Sequence, residues 1–201
     1  DGAVPGLDQI AAAVWRERLH TVSSADTLAT QMATFERQGL RVLIPGETDW
    51  PVALNDLGAR TPYALWTRGE IALLAKPLAD RITLTGARAS TAYGDHMAIE
   101  LASDLALSGR VVVAGGAYGI EAVAHQSALA TGGRTIAVLA GGVDRAYPAG
   151  HADLFARIEQ QGLLVSEVAP GVAPTRQRFL DRGRIMAALS STTVIVEAGA
   201  R

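Results

Sequence analysis

The chain has 201 residues, a mass of 20.9 kDa and a formal net charge of -2, with 49% hydrophobic and 19% charged residues. This suits one well-buried core and excludes wholesale disorder, and the slight negative charge means that any acidic partner must be met at a local patch. Without cysteine there is no disulfide framework or thiolate metal site, and no apolar run approaches the roughly 18 residues that span a bilayer, so a cytoplasmic protein is expected.

Along residues 7–38, Ile10, Val14 and Leu19, then Leu28, Met32 and Phe35, recur at helical spacing. They predict a small helical appendage over residues 1–40, with "SSAD" capping its second helix. "RVLIPG", "DWPVALNDLG" and "TPYALWTRG" follow as short apolar pieces broken by Pro and Gly. From residue 81 the order turns regular. "RITLTGA", "RVVVAGG", "RTIAVLAGG", "LLVSEVAPG" and "TTVIVEA" read as strands. Between them, "TAYGDHMAIELASDLALSG", "GIEAVAHQSALATGG", "HADLFARIEQQG" and "RIMAALSS" read as helices. Strands of near-continuous β-branched residues alternating with helices predict a doubly wound α/β domain, mostly parallel, over residues 41–201. Its ligands belong beyond the carboxyl ends of the strands. The first residue is not methionine and the chain stops just after an apolar strand, which reads as a domain trimmed at both ends or as a piece of a longer protein.

Three of the strands run into glycine-containing turns: "TGARAST", "AGGAYGIEA" and "AGGVDRAYP". Glycine lets backbone amides approach an anion, and a helix beginning there adds the positive end of its dipole. The alternative is that these glycines only permit tight strand-to-helix turns. Three at one sheet edge favour anion binding, with Arg88 aimed at a phosphate and Ser90 and Thr91 capping the helix and donating to the same group. Neither the G-x-G-x-x-G spacing nor a Walker lysine motif is present, so P-loop hydrolysis is not expected.

No histidine pair has metal-ligand spacing, and no zinc site is expected; His125 reads as structural. Ser127, Ser166 and Ser190 lack a nucleophile-elbow context. Glu121, Asp144, Glu167 and Glu197 lie near the turns without forming a persuasive acid–base pair, and Glu121 and Asp144 suit helix capping or the orientation of arginines.

"TRQRFLDRGR" gathers Arg176, Arg178, Arg182 and Arg184 around Phe179 in a net-negative protein. If the segment is extended, Arg176 and Arg178 face away from Phe179; if helical, Arg176 shares a face with Phe179, and Arg178 with Arg182. Guanidinium groups that hold phosphates beside a ring that stacks on a base are what a single nucleic-acid strand requires. The competing reading is a solvated helix entrance with a core phenylalanine.

Ordered motifs over residues 45–198 resemble the DprA/Smf family of bacterial DNA-processing proteins: "PYALWTRG", "TGARASTAYG", "VVVAGGAYGIEAVAHQSALATGGRTIAVLAGGVDRAYPAGHADLFARI", "GLLVSEVAPG" and "RFLDRGRIMAALSSTTVIVEA". The resemblance implies an extended Rossmann-like fold. It implies a protein without catalytic residues or cofactor that binds and protects single-stranded DNA, contacts RecA and helps load it during natural transformation, and forms a homodimer. Carried over by position, the phosphate turn is Gly86, Ala87 and Arg88, and the second loop is Gly115, Gly116 and Gly119. The strand-clamping pair is Arg176 and Phe179, followed by Arg182 and Arg184. Three positions depart from the family pattern: Ala87 replaces a serine, Glu121 an aspartate and Gly183 an asparagine. The segment 1–40 corresponds to part of an N-terminal helical domain. Two other functions stay open: a nucleotide N-glycosidic-bond hydrolase using Glu121 or Glu197, and a protein that has lost DNA binding and kept only its association with a partner.

Overall fold

A computed structural model describes residues 25–145 and 147–199. Residues up to Gly39 form one compact unit and Leu40 onward a second. In the first unit, helix α1 spans Ala25–Arg37; its threonine hydroxyls donate back along the helix, Thr30 to the Asp26 carbonyl and Thr34 to that of Thr30. The expected first helix and the two serines of the "SSAD" cap lie outside the described residues, and Ala25 and Asp26 open the helix itself.

The second unit is built on a seven-stranded sheet. In chain order the strands are β1 (Leu40–Leu43), β2 (Leu65–Gly69), β3 (Arg81–Gly86), β4 (Val111–Gly115), β5 (Arg134–Val138), β6 (Leu163–Ser166) and β7 (Thr192–Glu197). Across the sheet the order is β1-β2-β6-β5-β4-β3-β7. β1, β2 and β6 pair antiparallel, and β6, β5, β4, β3 and β7 pair parallel, so the expected α/β sheet is mostly parallel. The two antiparallel strands arise from "RVLIPG" and "TPYALWTRG", which sequence alone left unassigned.

Helices α2 (Ala92–Leu107), α3 (Ile120–Ala130), α4 (Ala152–Gln161) and α5 (Arg176–Ala188) connect the parallel strands. Alternation along β4 divides the core. Val112 joins Ile82, Leu84, Ala102, Ala124 and Ala128 on the α2–α3 side, where small residues let the helices lie close to the sheet. Val111 and Val113 join Ile136, Val138, Val165, Ile185 and Leu189 on the α5 side. Burial on both faces is why these strands read as continuous apolar runs.

Topology positions the site. From β3 the chain steps through β4, β5 and β6 in one direction, and α5 then carries it back to β7 on the other side of β3. The order of strands therefore reverses between β3 and β7, where open α/β sheets hold their ligands.

Candidate functional site

Helix α5 begins at Arg176, ahead of the expected "RIMAALSS" start at Arg184, because Thr175 caps it: the hydroxyl accepts from the Arg178 amide. The helical alternative for "TRQRFLDRGR" is therefore the correct one, and Arg176 and Phe179 share a face. A groove of about 740 Å³ runs beside them, lined by Arg88, Ala87, Tyr147, Thr175, Arg176 and Phe179 among others. Phe179 is half-buried at its floor. The Arg88 guanidinium carbon stands 4.7 Å from the Phe179 ring centre, and Tyr147 lies 5.9 Å from it, tilted by 57°. Arg88 and Arg176 are exposed, and neither has a hydrogen-bond or ion-pair partner among the described residues.

The other arginines of the cluster are committed elsewhere. Arg182 is buried and gives one hydrogen bond to the Val138 carbonyl (3.1 Å) and one to Glu121 Oε2 (2.6 Å). Glu121 also accepts from the Thr85 hydroxyl and the Ala117 amide, so the pair sits in a buried hydrogen-bond network. Arg184 forms a two-pronged pair with Glu167 and donates to the carbonyls of Arg60 and Asp181; the Glu167 pairing holds its guanidinium above the usual arginine pKa. Arg178 donates to the Ala173 carbonyl at 2.6 Å, tying down the segment before α5. Arg182 and Arg184, expected to face the ligand, are thus already held by carboxylates brought in from α3 and the segment after β6.

The glycine turns, too, are occupied by groups of the protein itself. A Cβ on Gly115 would strike the Arg182 guanidinium and one on Gly116 the Phe155 ring, so these glycines make room for side chains. Gly119 has φ +74°, and a Cβ there would lie 2.2 Å from the Ala87 carbonyl oxygen. The Ala87 amide, expected to meet a phosphate, donates to the Glu197 carbonyl, and its own carbonyl accepts from Ile120. Gly86 pairs with Glu197 across a register irregularity. At the start of α2 the anion position is filled internally: Glu197 Oε2 accepts from the Thr91 amide (2.9 Å) and hydroxyl. The Thr91 hydroxyl also caps Gly94, while Ser90 donates to Asp95. Glu121 occupies the start of α3, and Asp144 accepts from the Gly171 amide through both oxygens. Each turn thus carries a carboxylate from the protein itself.

His125 is fully buried between the second turn and β5. Its Nε2 faces the Gly115 carbonyl at 2.8 Å, and its Nδ1 the Thr135 hydroxyl at 2.7 Å. Burial lowers its pKa to about 4, so it is neutral and structural at ordinary pH. His151 is likewise buried, with Nδ1 against the Gly116 carbonyl and its ring 4.4 Å from that of Tyr118. Among the described residues no group of His, Cys, Asp or Glu is disposed to hold a metal, and no helix is long and apolar enough to cross a membrane.

Sequence reasoning missed Tyr147 and the structural work of Glu197. The first was detectable as an aromatic in the third glycine turn, at the same sheet edge as Arg88. The second depends on a pairing 106 residues apart.

Known proteins resemble this chain in sequence and in fold. The family model described as DNA recombination-mediator protein A matches residues 41–201. A putative DNA processing protein DprA of Mycobacterium tuberculosis is 45% identical over 186 residues, covering 88% of this chain and 48% of that protein. DNA processing protein DprA of Bacillus subtilis is 30% identical over 190 residues, covering 94% and 62%. The X-ray structure of DNA processing protein A from Streptococcus pneumoniae superposes with a TM-score of 0.82 at 30% identity, covering 94% of this chain and 63% of that one. DNA processing protein A of Helicobacter pylori, described for its unique single-stranded DNA binding mode, superposes with a TM-score of 0.70 at 30% identity, covering 81% and 71%. The chain thus spans about half the length of the mycobacterial relative. Since the family model takes in the seven-stranded sheet from Arg41 onward and the solved relatives repeat its fold, the chain belongs to the DprA/Smf family of DNA processing proteins.

Proposed function

We propose that this domain is a non-catalytic binder of single-stranded DNA that grips the strand in the groove between Arg88 and α5. The observation that carries this reading is the placement of Arg88 4.7 Å from Phe179 on a groove whose other exposed cation, Arg176, has no partner among the described residues. Two free guanidinium groups beside a half-buried ring supply what a strand needs: charge for successive phosphates and a flat surface for a base. In the free protein Arg88 lies against that ring. A phosphate draws the guanidinium outward, and a base takes its place on the phenyl. Ala87 serves only as part of the groove wall, and Ser90 and Thr91 hold the helix start behind it.

The hydrolase alternative asks Glu121 or Glu197 to act on a substrate. Both carboxylates already accept from donors of the protein, Glu121 from Arg182 and the Ala117 amide and Glu197 from Thr91, which favours binding over turnover. The similar protein from Helicobacter pylori is described by its single-stranded DNA binding, which supports the same reading. As a member of its family the full-length protein is proposed to act in the cytoplasm as a homodimer, protecting incoming strands and assisting RecA to load on them. Anisotropy titration of labelled single-stranded and duplex oligonucleotides at several salt concentrations tests the binding step. Tight, salt-dependent binding of the single strand is expected, weakened in both Arg88→Ala and Arg176→Ala. Unchanged affinity in those two variants at moderate salt overturns the placement of the groove.

A further inference from the structure

A second space of about 160 Å³ shares the Phe179 ring and lies between α5 and strands β3 and β7. Thr85 of β3 and Thr193 of β7 form its strand side, Phe179, Gly183 and Met186 of α5 its helix side, and Glu121 a further wall. A phenyl ring and a thioether offer apolar contact, and Thr83, Thr85, Glu121, Arg182 and Thr193 supply polar groups. The Thr193 hydroxyl has no hydrogen-bond partner among the described residues. Glu121 Oε2 already accepts from Ala117 and Arg182, whereas Oε1 accepts only from Thr85, so Oε1 keeps acceptor capacity.

Charge and size narrow the occupant. Arg182 and Glu121 neutralise each other at 2.6 Å, so the cavity has no net charge with which to hold a phosphate. A dry cavity of about 150 Å³ takes benzene. This space has that volume but opens to solvent at the exposed Gly183, Ala187 and Thr193, so it has room for a single six-membered ring. The Phe179 ring lines both this cavity and the groove, which puts a base within reach when its phosphate rests on Arg88 or Arg176. Turning a base out of an unpaired strand costs least of all base-flipping events.

We infer that the cavity receives one pyrimidine base turned out of the bound strand, and that Glu121 Oε1 selects cytosine. The exocyclic amino group of cytosine donates to a carboxylate; thymine presents a carbonyl oxygen at that position and is repelled. The Thr193 hydroxyl serves the ring's remaining polar edge. This assignment rests on the groove holding single-stranded DNA.

The test compares oligo-dC, oligo-dT and an abasic strand of equal length, bound by the wild type, Gly183→Leu and Thr193→Val. A Cβ at Gly183 meets nothing within 4 Å, so leucine is accommodated at the cavity rim, and it favours the helix over glycine. The wild type is expected to bind oligo-dC roughly fivefold tighter than the other two strands, the lower end of what one base-edge contact discriminates. Gly183→Leu is expected to bind all three alike, at the oligo-dT affinity and with an unchanged salt slope. Thr193→Val, which leaves the ion pair and the groove intact, is expected to weaken oligo-dC alone. Equal wild-type affinities for oligo-dC and oligo-dT with a normal salt slope overturn the cavity assignment and leave the groove standing, as does a cytosine preference that survives both substitutions. Loss of salt-dependent binding to every strand overturns the groove reading, and the cavity assignment falls with it.

Discussion

Arg88 and Arg182 approach the same phenyl ring, at 4.7 and 5.1 Å, from two different environments. Arg88 is exposed on the groove and carries an uncommitted charge. Arg182 is buried, with Glu121 and the Val138 carbonyl as its partners. One ring thus separates a guanidinium free to meet an anion from one whose charge is spent on holding α3, α5 and the end of β5 together. The comparison teaches that a cluster of arginines in sequence is not a count of phosphate contacts. What matters is which of them the fold has already supplied with a carboxylate.

The sharpest way to break this contrast is to remove the interior partner. Arg182→Leu leaves the Glu121 carboxylate buried and unpaired, and stability is expected to fall by about 3–5 kcal/mol. Adding Glu121→Gln to that variant removes the orphaned charge and is expected to recover much of the loss. Urea denaturation of the two variants measures both effects. A loss below about 1 kcal/mol for Arg182→Leu would show the pair to be dispensable, as surface pairs are.

His125 extends the interior side of the comparison to pH. Its folded pKa, lowered from 6.5 to about 4, means that the unfolded chain binds a proton more readily across that window. Stability from the neutral imidazole is complete above pH 6.5 and falls with the pH, by ~3 kcal/mol at pH 4. His125→Gln keeps an amide donor for the Gly115 carbonyl and is expected to flatten the slope between pH 6.5 and 4. Denaturation midpoints at several pH values check this.

Phe179 stands on the boundary between the two regions, and its truncation acts on binding. Phe179→Ala is expected to cost roughly 1–3 kcal/mol of single-strand affinity, the usual worth of one stacked base. The salt slope should hardly change, because every phosphate keeps its guanidinium. Titration at two salt concentrations separates this outcome from a loss of charge. A steep fall in the slope would mean that Phe179 only positions Arg88.

The division between free and committed arginines also marks the limit of what was legible in the sequence. Alternating strands and helices from residue 81 onward were readable because burial on both sheet faces writes itself as β-branched runs. Arg88 was singled out by the first glycine turn, and Arg176 and Phe179 by the arginine cluster; that the three line one groove was not readable, because they lie far apart in the chain. Nor were the partners of Arg182 and Arg184, since Glu121 lies 61 residues from Arg182 and nothing local announces the pairing. The neighbours of the glycines were hidden for a related reason. Gly115 and Gly119 look the same in sequence whether the space above them awaits a ligand or holds the Arg182 guanidinium and the Ala87 carbonyl. β1 and β2 were missed because runs of four and five residues between prolines and glycines carry too little periodicity.

The finest test compares two arginines two residues apart on α5. Arg176 lines the groove without a partner among the described residues, whereas Arg178 gives a 2.6 Å hydrogen bond to the Ala173 carbonyl. Both substitutions remove one positive charge, so bulk electrostatics predicts equal effects. An account built on individual guanidinium–phosphate pairs does not: removing one such pair from a single strand lowers the slope of log affinity against log salt by about 0.7. Arg176→Ala is therefore expected to lower the slope by that amount, with unfolding changed by less than about 0.5 kcal/mol, as for an exposed side chain. Arg178→Ala is expected to leave the slope where it is and to loosen the segment before α5. Equal slopes in the two variants would return the cluster to a diffuse patch of charge, with no particular guanidinium assigned to the strand.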